Sequence, residues 1–165
     1  MDLSRPESRG AVTLRSAGPG DPPSIVFNHL RSRADVKDLI DGVRLARTLI
    51  RQAAWDPYRG EELSPGRDVA SDRDLETYLR HRTGTSYHAS GTCRMGANDE
   101  AVVDAHARVR AVRHVRIIDA SIMPRVITGN LNAPIQMMAE KISDLIRGIA
   151  PLTPSNASYY RAVGR

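Results

Sequence analysis

The sequence predicts an α+β fold, with short strands and longer helices in separate parts of the chain. Three observations predict it. Brief alternating apolar runs lie near the start, longer stretches further on carry apolar residues three or four apart, and a unit over 117–149 passes from an apolar run through a polar loop into an amphipathic helix. That last unit reads as a strand, a loop and a helix start gathered around a ligand.

Taken in order, residues 8–16 alternate as a short strand does, with Val12 and Leu14 on one face. The run 18–23 cannot continue a ladder, because Pro19, Pro22 and Pro23 lack donors and Gly18 and Gly20 favour turns. Ile25, Val26 and Phe27 suit a second brief strand. From Ser32 the period changes: Val36, Leu39, Ile40, Val43, Ala46, Leu49, Ile50 and Ala53 make one helical face, with Ser32 as cap and Asp35 and Asp38 near the positive end of the dipole. Residues 56–68, with two prolines and two glycines, read as a surface loop. Ser71 opens a shorter helix through Arg82, with Leu75, Tyr78 and Leu79 inward. The stretch 86–96 is small and polar without a period, which marks either a loop or backbone that approaches a ligand closely. Residues 102–104 and 107–112 look extended and lead into a strand over 115–118. Pro134 sits where a first-turn proline belongs, Asn132 is the candidate cap, and an apolar stripe from Ile135 to Ile149 stops at Gly148 and Pro151. Residues 152–165 have no apolar period and are expected to be disordered.

With 165 residues the chain is long enough for one domain, and its 4% aromatic content with 12 glycines and 10 prolines points to many loops. The net charge of +5 is mild. Arg108, Arg110, Arg113 and Arg116 alternate with valines and lack interleaved aromatics, so a solvated edge is favoured over a nucleic-acid patch. Cys93 is the one cysteine, which excludes a disulfide framework and suits a reducing compartment. The start carries no apolar signal segment, and no run approaches the length of a membrane span, so a soluble cytoplasmic protein is expected with neither nucleic acid nor membrane as partner.

No two of the five histidines have the spacing that places both on one helix face for a metal, and no metal site is expected. No nucleophile elbow is present, and the glycines at 91 and 96 lack the lysine of a phosphate loop. His88 stands apart for its setting among Ser86, Tyr87, Ser90 and Thr92, where an imidazole can serve as proton acceptor. By itself a loop histidine is more often structural or merely exposed. Asparagines near a helix start, such as Asn130 and Asn132, are ordinarily caps.

The pattern Tyr-His-x-x-Gly-Thr-Cys-Arg-Met-Gly at 87–96, Val102-Val103-Asp104, Val115-Arg116-Ile117-Ile118-Asp119-Ala120-Ser121-Ile122-Met123-Pro124, Gly129-Asn130-Leu131-Asn132-Ala133-Pro134 and Met138-Ala139-Glu140-Lys141 resembles the carboxy-terminal region of the glucose-methanol-choline (GMC) oxidoreductases. The start at Ser8-Arg9-Gly10 resembles the family's entry into its substrate domain. The resemblance implies an FAD-dependent enzyme that oxidises a small-molecule alcohol to a carbonyl. It implies His88 as the active-site base and Asn130 as the residue holding the substrate oxygen. Asp119 and Ala120 would touch the ribityl and pyrophosphate region of FAD, and Asn132, Ala133 and Pro134 would face its pyrimidine ring. Residues 1–112 would then belong to the substrate domain, 113–150 would supply the closing strand, loop and helix of the FAD domain, and 151–165 a tail.

The family's Gly-x-Gly-x-x-Gly fingerprint is absent from this sequence. The expectation is therefore a fragment, or a chain completed by an amino-terminal FAD-binding polypeptide, that holds FAD weakly when alone. The alternative function is a non-catalytic subunit that binds a partner chain through faces left exposed.

Overall fold

The computed structural model describes residues 2–158 and contains a two-stranded sheet and three α-helices. Strand β1 (Ala11–Thr13) pairs antiparallel with β2 (Ser24–Val26), Val12 standing opposite Ile25. Both strands are shorter than the alternation suggests, and the face shared by Val12 and Leu14 is open, at 48% and 85% exposure. Gly10 is obligatory for the hairpin: a Cβ there would lie 2.1 Å from the Val26 carbonyl oxygen.

Helix α1 (Arg33–Ile50) starts as the sequence predicts, with the Ser32 hydroxyl accepting from the Ala34 N–H at 3.2 Å. Asp35 does more than favour the dipole. It is buried, and its two carboxylate oxygens accept the N–H groups of Glu7 (2.7 Å) and Ser8 (2.8 Å), so the start of the chain is clamped onto the helix. Burial pushes this carboxyl up, but hydrogen bonds from Ser8 and the Glu7 amide, with the charge of Arg9, outweigh it and leave it below its ordinary value. Helix α2 (Asp72–Arg82) is capped by Ser71, which accepts from the Asp74 N–H. The two helices bury Leu30, Val36, Leu39, Ile40, Leu75 and Leu79 in one cluster, each such side chain contributing about 1.5–3 kcal/mol. Past Ile40 the predicted apolar face opens to solvent at Leu49 and Ile50. Between the helices the loop is held by Arg47, whose guanidinium pairs with Glu62 and donates to the carbonyls of Gly66 and Val69.

Leu30 reaches this cluster through a turn in which Asn28 and Leu30 both have left-handed backbone, at φ 55 and 56. The Asn28 amide donates to the Arg9 carbonyl, and Arg80 donates to the Leu30 carbonyl. The buried Leu30 side chain adds a third constraint, enough to hold a conformation that costs about 1–3 kcal/mol per residue.

The strand expected over 115–118 does not form. Residues 95–116 make only isolated bridges, Met95 with Val103, Val103 with Val109 and Arg108 with Arg116. Left-handed residues Ala107 and His114 interrupt any extended run. In addition, the Asp104 carboxylate takes the N–H groups of His106 and Arg108, which a ladder would need. Burial raises the Asp104 carboxyl, but those bonds and the Arg108 guanidinium overcome it and bring it down to about 2. Helix α3 (Asn132–Arg147) ends at Gly148, whose φ is 69. Its cap is Leu131, not Asn132: the Leu131 side chain is buried, and the Asn132 side chain accepts instead from Gln136 one turn on. Ile142 buries against Val103, Ala107 and Ile122, while Leu145, Ile146 and Ile149 remain exposed, so the predicted stripe is covered only in its middle. Residues 151–158 form no helix or strand and are exposed, and 159–165, the rest of the expected tail, lie outside the described residues.

Candidate functional site

The site is a loop laid against another loop. After α2 the chain enters 84–96, where Tyr87 has φ 64 and is 89% exposed, its N–H bound to the Thr85 hydroxyl at 3.0 Å. His88 follows, half-buried. Gly91 is again left-handed, at φ 87, and a Cβ there would stand 3.2 Å from the Met123 carbonyl oxygen, so glycine allows the close approach. From there the N–H groups of Gly91, Cys93 and Met95 bind in turn the carbonyls of Ala120 (3.4 Å), Ser121 (3.0 Å) and Ile122 (2.9 Å).

Those three acceptors form a short 3-10 turn (Ala120–Ile122), opened by Asp119, whose carboxylate accepts the Ser121 N–H at 2.7 Å. Ile122 and Met123 are buried beneath it. The chain then runs exposed from Pro124 to Asn130, except for half-buried Val126, and Leu131 plugs back into the protein before α3.

A groove of about 2350 Å³ opens between this assembly and the hairpin side. His88, Gly91, Gly129 and Asn130 line it, as do Phe27 and His29. His88 and Asn130 thus both border this broad groove, whose lining runs from Asp2 to Asn130. Asp119, Ala120, Asn132, Ala133 and Pro134 lie outside its lining: Asp119, Asn132 and Ala133 are exposed, and Ala120 and Pro134 half-buried.

His29 is a groove residue that no sequence motif marks. Its ring stacks on Phe27 with centroids 5.1 Å apart and planes 11° apart. The i, i+2 spacing at a strand end was the available signal. Among the described residues no group of three or more His, Cys, Asp or Glu side chains is arranged to hold a metal ion.

Comparison with known proteins identifies this assembly. The family described as GMC oxidoreductase matches residues 6–139, through its carboxy-terminal region. The chain belongs to that family. An oxygen-dependent choline dehydrogenase of Pseudomonas fluorescens (strain SBW25) is 49% identical over 162 residues, which cover 98% of this chain and 29% of that protein. The chain thus spans under a third of the length of the curated relatives it matches. Among solved structures, pyridoxine 4-oxidase from Mesorbium loti superposes with TM-score 0.83 at 29% identity, covering 90% of this chain and 29% of that one. A formate oxidase of Aspergillus oryzae RIB40, described for its FAD modification, gives TM-score 0.82 at 28% identity over 88% of this chain and 26% of that one. The helices, small sheet and paired loops described above are therefore the carboxy-terminal GMC architecture, and no helix among the described residues is long and apolar enough to cross a membrane.

Proposed function

We propose that this chain forms the substrate-facing and cofactor-closing part of an FAD-dependent oxidoreductase that converts an alcohol to a carbonyl. The observation that carries the reading is that His88 and Asn130, far apart in sequence and both in family motifs, line the same groove. An alcohol proton is too weakly acidic to leave unaided near neutral pH, so a base within hydrogen-bond reach has to accept it. The His88 imidazole is that base. The Asn130 carboxamide, exposed at the groove, holds the substrate oxygen.

FAD, when bound, supplies the two-electron acceptor. The residues present suit its ring end. Asn132 and Ala133 open α3 without a side-chain cap and are exposed, so their N–H groups are available to a ring edge, while Pro134 contributes none. The partial positive charge there is worth about 0.3–1 kcal/mol toward an anion, rising to ~2 when partly buried. Gly129 has open space where a Cβ would stand, so the backbone can be approached closely. Asp119 and Ala120 take the ribityl side. Residues 1–112 act on the substrate side and 113–150 on the cofactor side, with an amino-terminal polypeptide supplying the grip on the ADP half.

The test is to combine the chain with the amino-terminal part of a choline dehydrogenase relative, desalt, and follow flavin absorbance on adding choline and other alcohols. Retained colour is expected for the combination and not for the chain alone. His88→Ala should slow flavin reduction by about 10²–10⁴-fold, and unchanged reduction would remove His88 from the mechanism. A second reading, a non-catalytic subunit seated on a partner chain, is favoured by the exposed Val12, Ile25, Phe27, Leu45 and Trp55. A stable complex that never reduces its flavin with any alcohol would select it.

A further inference from the structure

We infer that Asp119 is a positioning residue for His88, acting through the backbone that joins the two loops. This rests on the reading of His88 as the base but not on any cofactor contact. One carboxylate oxygen of Asp119 accepts the Ser121 N–H at 2.7 Å and so fixes the 3-10 turn, which the Ile122 N–H closes onto the Asp119 carbonyl and the Met123 N–H onto that of Ala120. The outward carbonyls of that turn receive the amides of Gly91, Cys93 and Met95 in order. Around His88 itself the loop has few other ties, whereas Arg94 to Gly96 are also bonded to Val102 and Val103 and Met95 packs on the second apolar cluster. Tyr87 and Gly91 on either side of His88 are left-handed, and Tyr87 is almost fully exposed, so neither regular structure nor core packing sets the direction of the imidazole. What sets it is the register of 91–95 on 120–122, and the Asp119 carboxylate is the side chain that holds the acceptor row in shape.

Geometry, not charge, is the quality required. An asparagine keeps an oxygen at the same place on the chain and loses the charge. A glutamate keeps the charge but carries its oxygens one methylene beyond the reach of a two-residue turn. The two substitutions therefore give opposite results for a positioning role and for a purely electrostatic one.

The experiment is amide hydrogen exchange on the whole chain, with the ring signals of His88 followed by NMR. Relative to the unsubstituted chain, Asp119→Ala and Asp119→Glu should speed exchange at Cys93 and Met95 by about tenfold, the upper end for losing an ordinary hydrogen bond, while Asp119→Asn stays within about threefold. The His88 ring signals should move in the first two and not in the third. Exchange at Leu75, bonded to Ser71 in the other half, should be unchanged in all of them.

Unaltered exchange at Cys93 and Met95, loss of protection at Leu75 to the same degree, or protection kept by Glu and lost by Asn would each overturn the inference. Should Asp119→Ala fail to fold, the Asn against Glu contrast decides it alone. No flavin is present, so this result stands apart from the flavin-reduction test of His88.

Discussion

Residues 30–82 and residues 84–147 each gather around a small apolar cluster, yet they solve the backbone problem in opposite ways. In the first region α1 and α2 satisfy their own N–H and C=O groups, capped by Ser32 and Ser71, and packing needs only one apolar face from each. In the second, outside α3, short turns alternate with bonds that cross between loops: Gly91, Cys93 and Met95 to 120–122, and, over shorter spans, Gly96 to Val103, Val109 to Val115 and Ile117 to Ala107. The helical half can lose a contact and keep its elements. The looped half keeps its shape only while its pairings agree, which suits the role proposed for it of holding the His88 imidazole.

The sharpest test of this contrast is a matched pair of cavities. Leu75 and Ile122 are both fully buried, and replacing either by Ala should cost about 2–5 kcal/mol, read by urea unfolding. If the regions differ as described, Leu75→Ala leaves the hydrogen-exchange protection of Cys93 and Met95 largely intact, whereas Ile122→Ala abolishes it. Equal loss at all sites from both substitutions would make the molecule a single cooperative unit and erase the distinction.

A smaller effect is expected at the clamp on α1. The Asp35 carboxyl titrates below its ordinary value, so its contribution is complete above about pH 4 and is lost as pH falls through the folded-state pKa. Asp35→Asn should lower stability near neutral pH by about 1.5–3 kcal/mol and flatten that acid limb. A wild-type and variant difference that persists undiminished into strong acid would show that the charge is not what binds the Glu7 and Ser8 amides.

The smallest effect belongs to Gly91→Ala. Left-handed backbone and a 3.2 Å approach to the Met123 oxygen predict a cost of about 1–2 kcal/mol, visible as a lower thermal midpoint, with α1 and α2 unaffected in far-ultraviolet circular dichroism. A neutral substitution would mean that the loop can give way at Met123 without loss.

The same contrast governs what could be read from the sequence. The starts of α1 and α2 follow from period and cap, Ser32 and Ser71 preceding helices that begin within a residue or two of the expected points, although α1 stops at Ile50, short of the expected Ala53. The brief hairpin follows from alternation and the proline-rich turn. The failure at 115–118 has a physical source. Valine and isoleucine favour extended backbone, but Ala107 and His114 adopt left-handed conformations that composition does not announce, and Asp104 diverts the donors a strand would use. Asn132 misleads as a cap because a buried leucine beside it outweighs a polar side chain. His88 and Asn130 are visible through motif register. The Asp35 clamp is not, because it depends on contacts between segments that no local pattern records, and His29 is marked only by its i, i+2 spacing to Phe27.

Leu131 carries a consequence for how such a site can change. It is 2% exposed and sits between Asn130 and Asn132, both of which face outward. One buried side chain is thus a shared hinge pin for the residue assigned to substrate and the residue assigned to flavin. Altering its volume would tilt both at once. On the proposed reading, divergence in alcohol preference would pass through substitutions at Asn130 and along the groove, where one partner can be retuned and the other left alone, with the leucine retained as the point about which the two roles stay aligned.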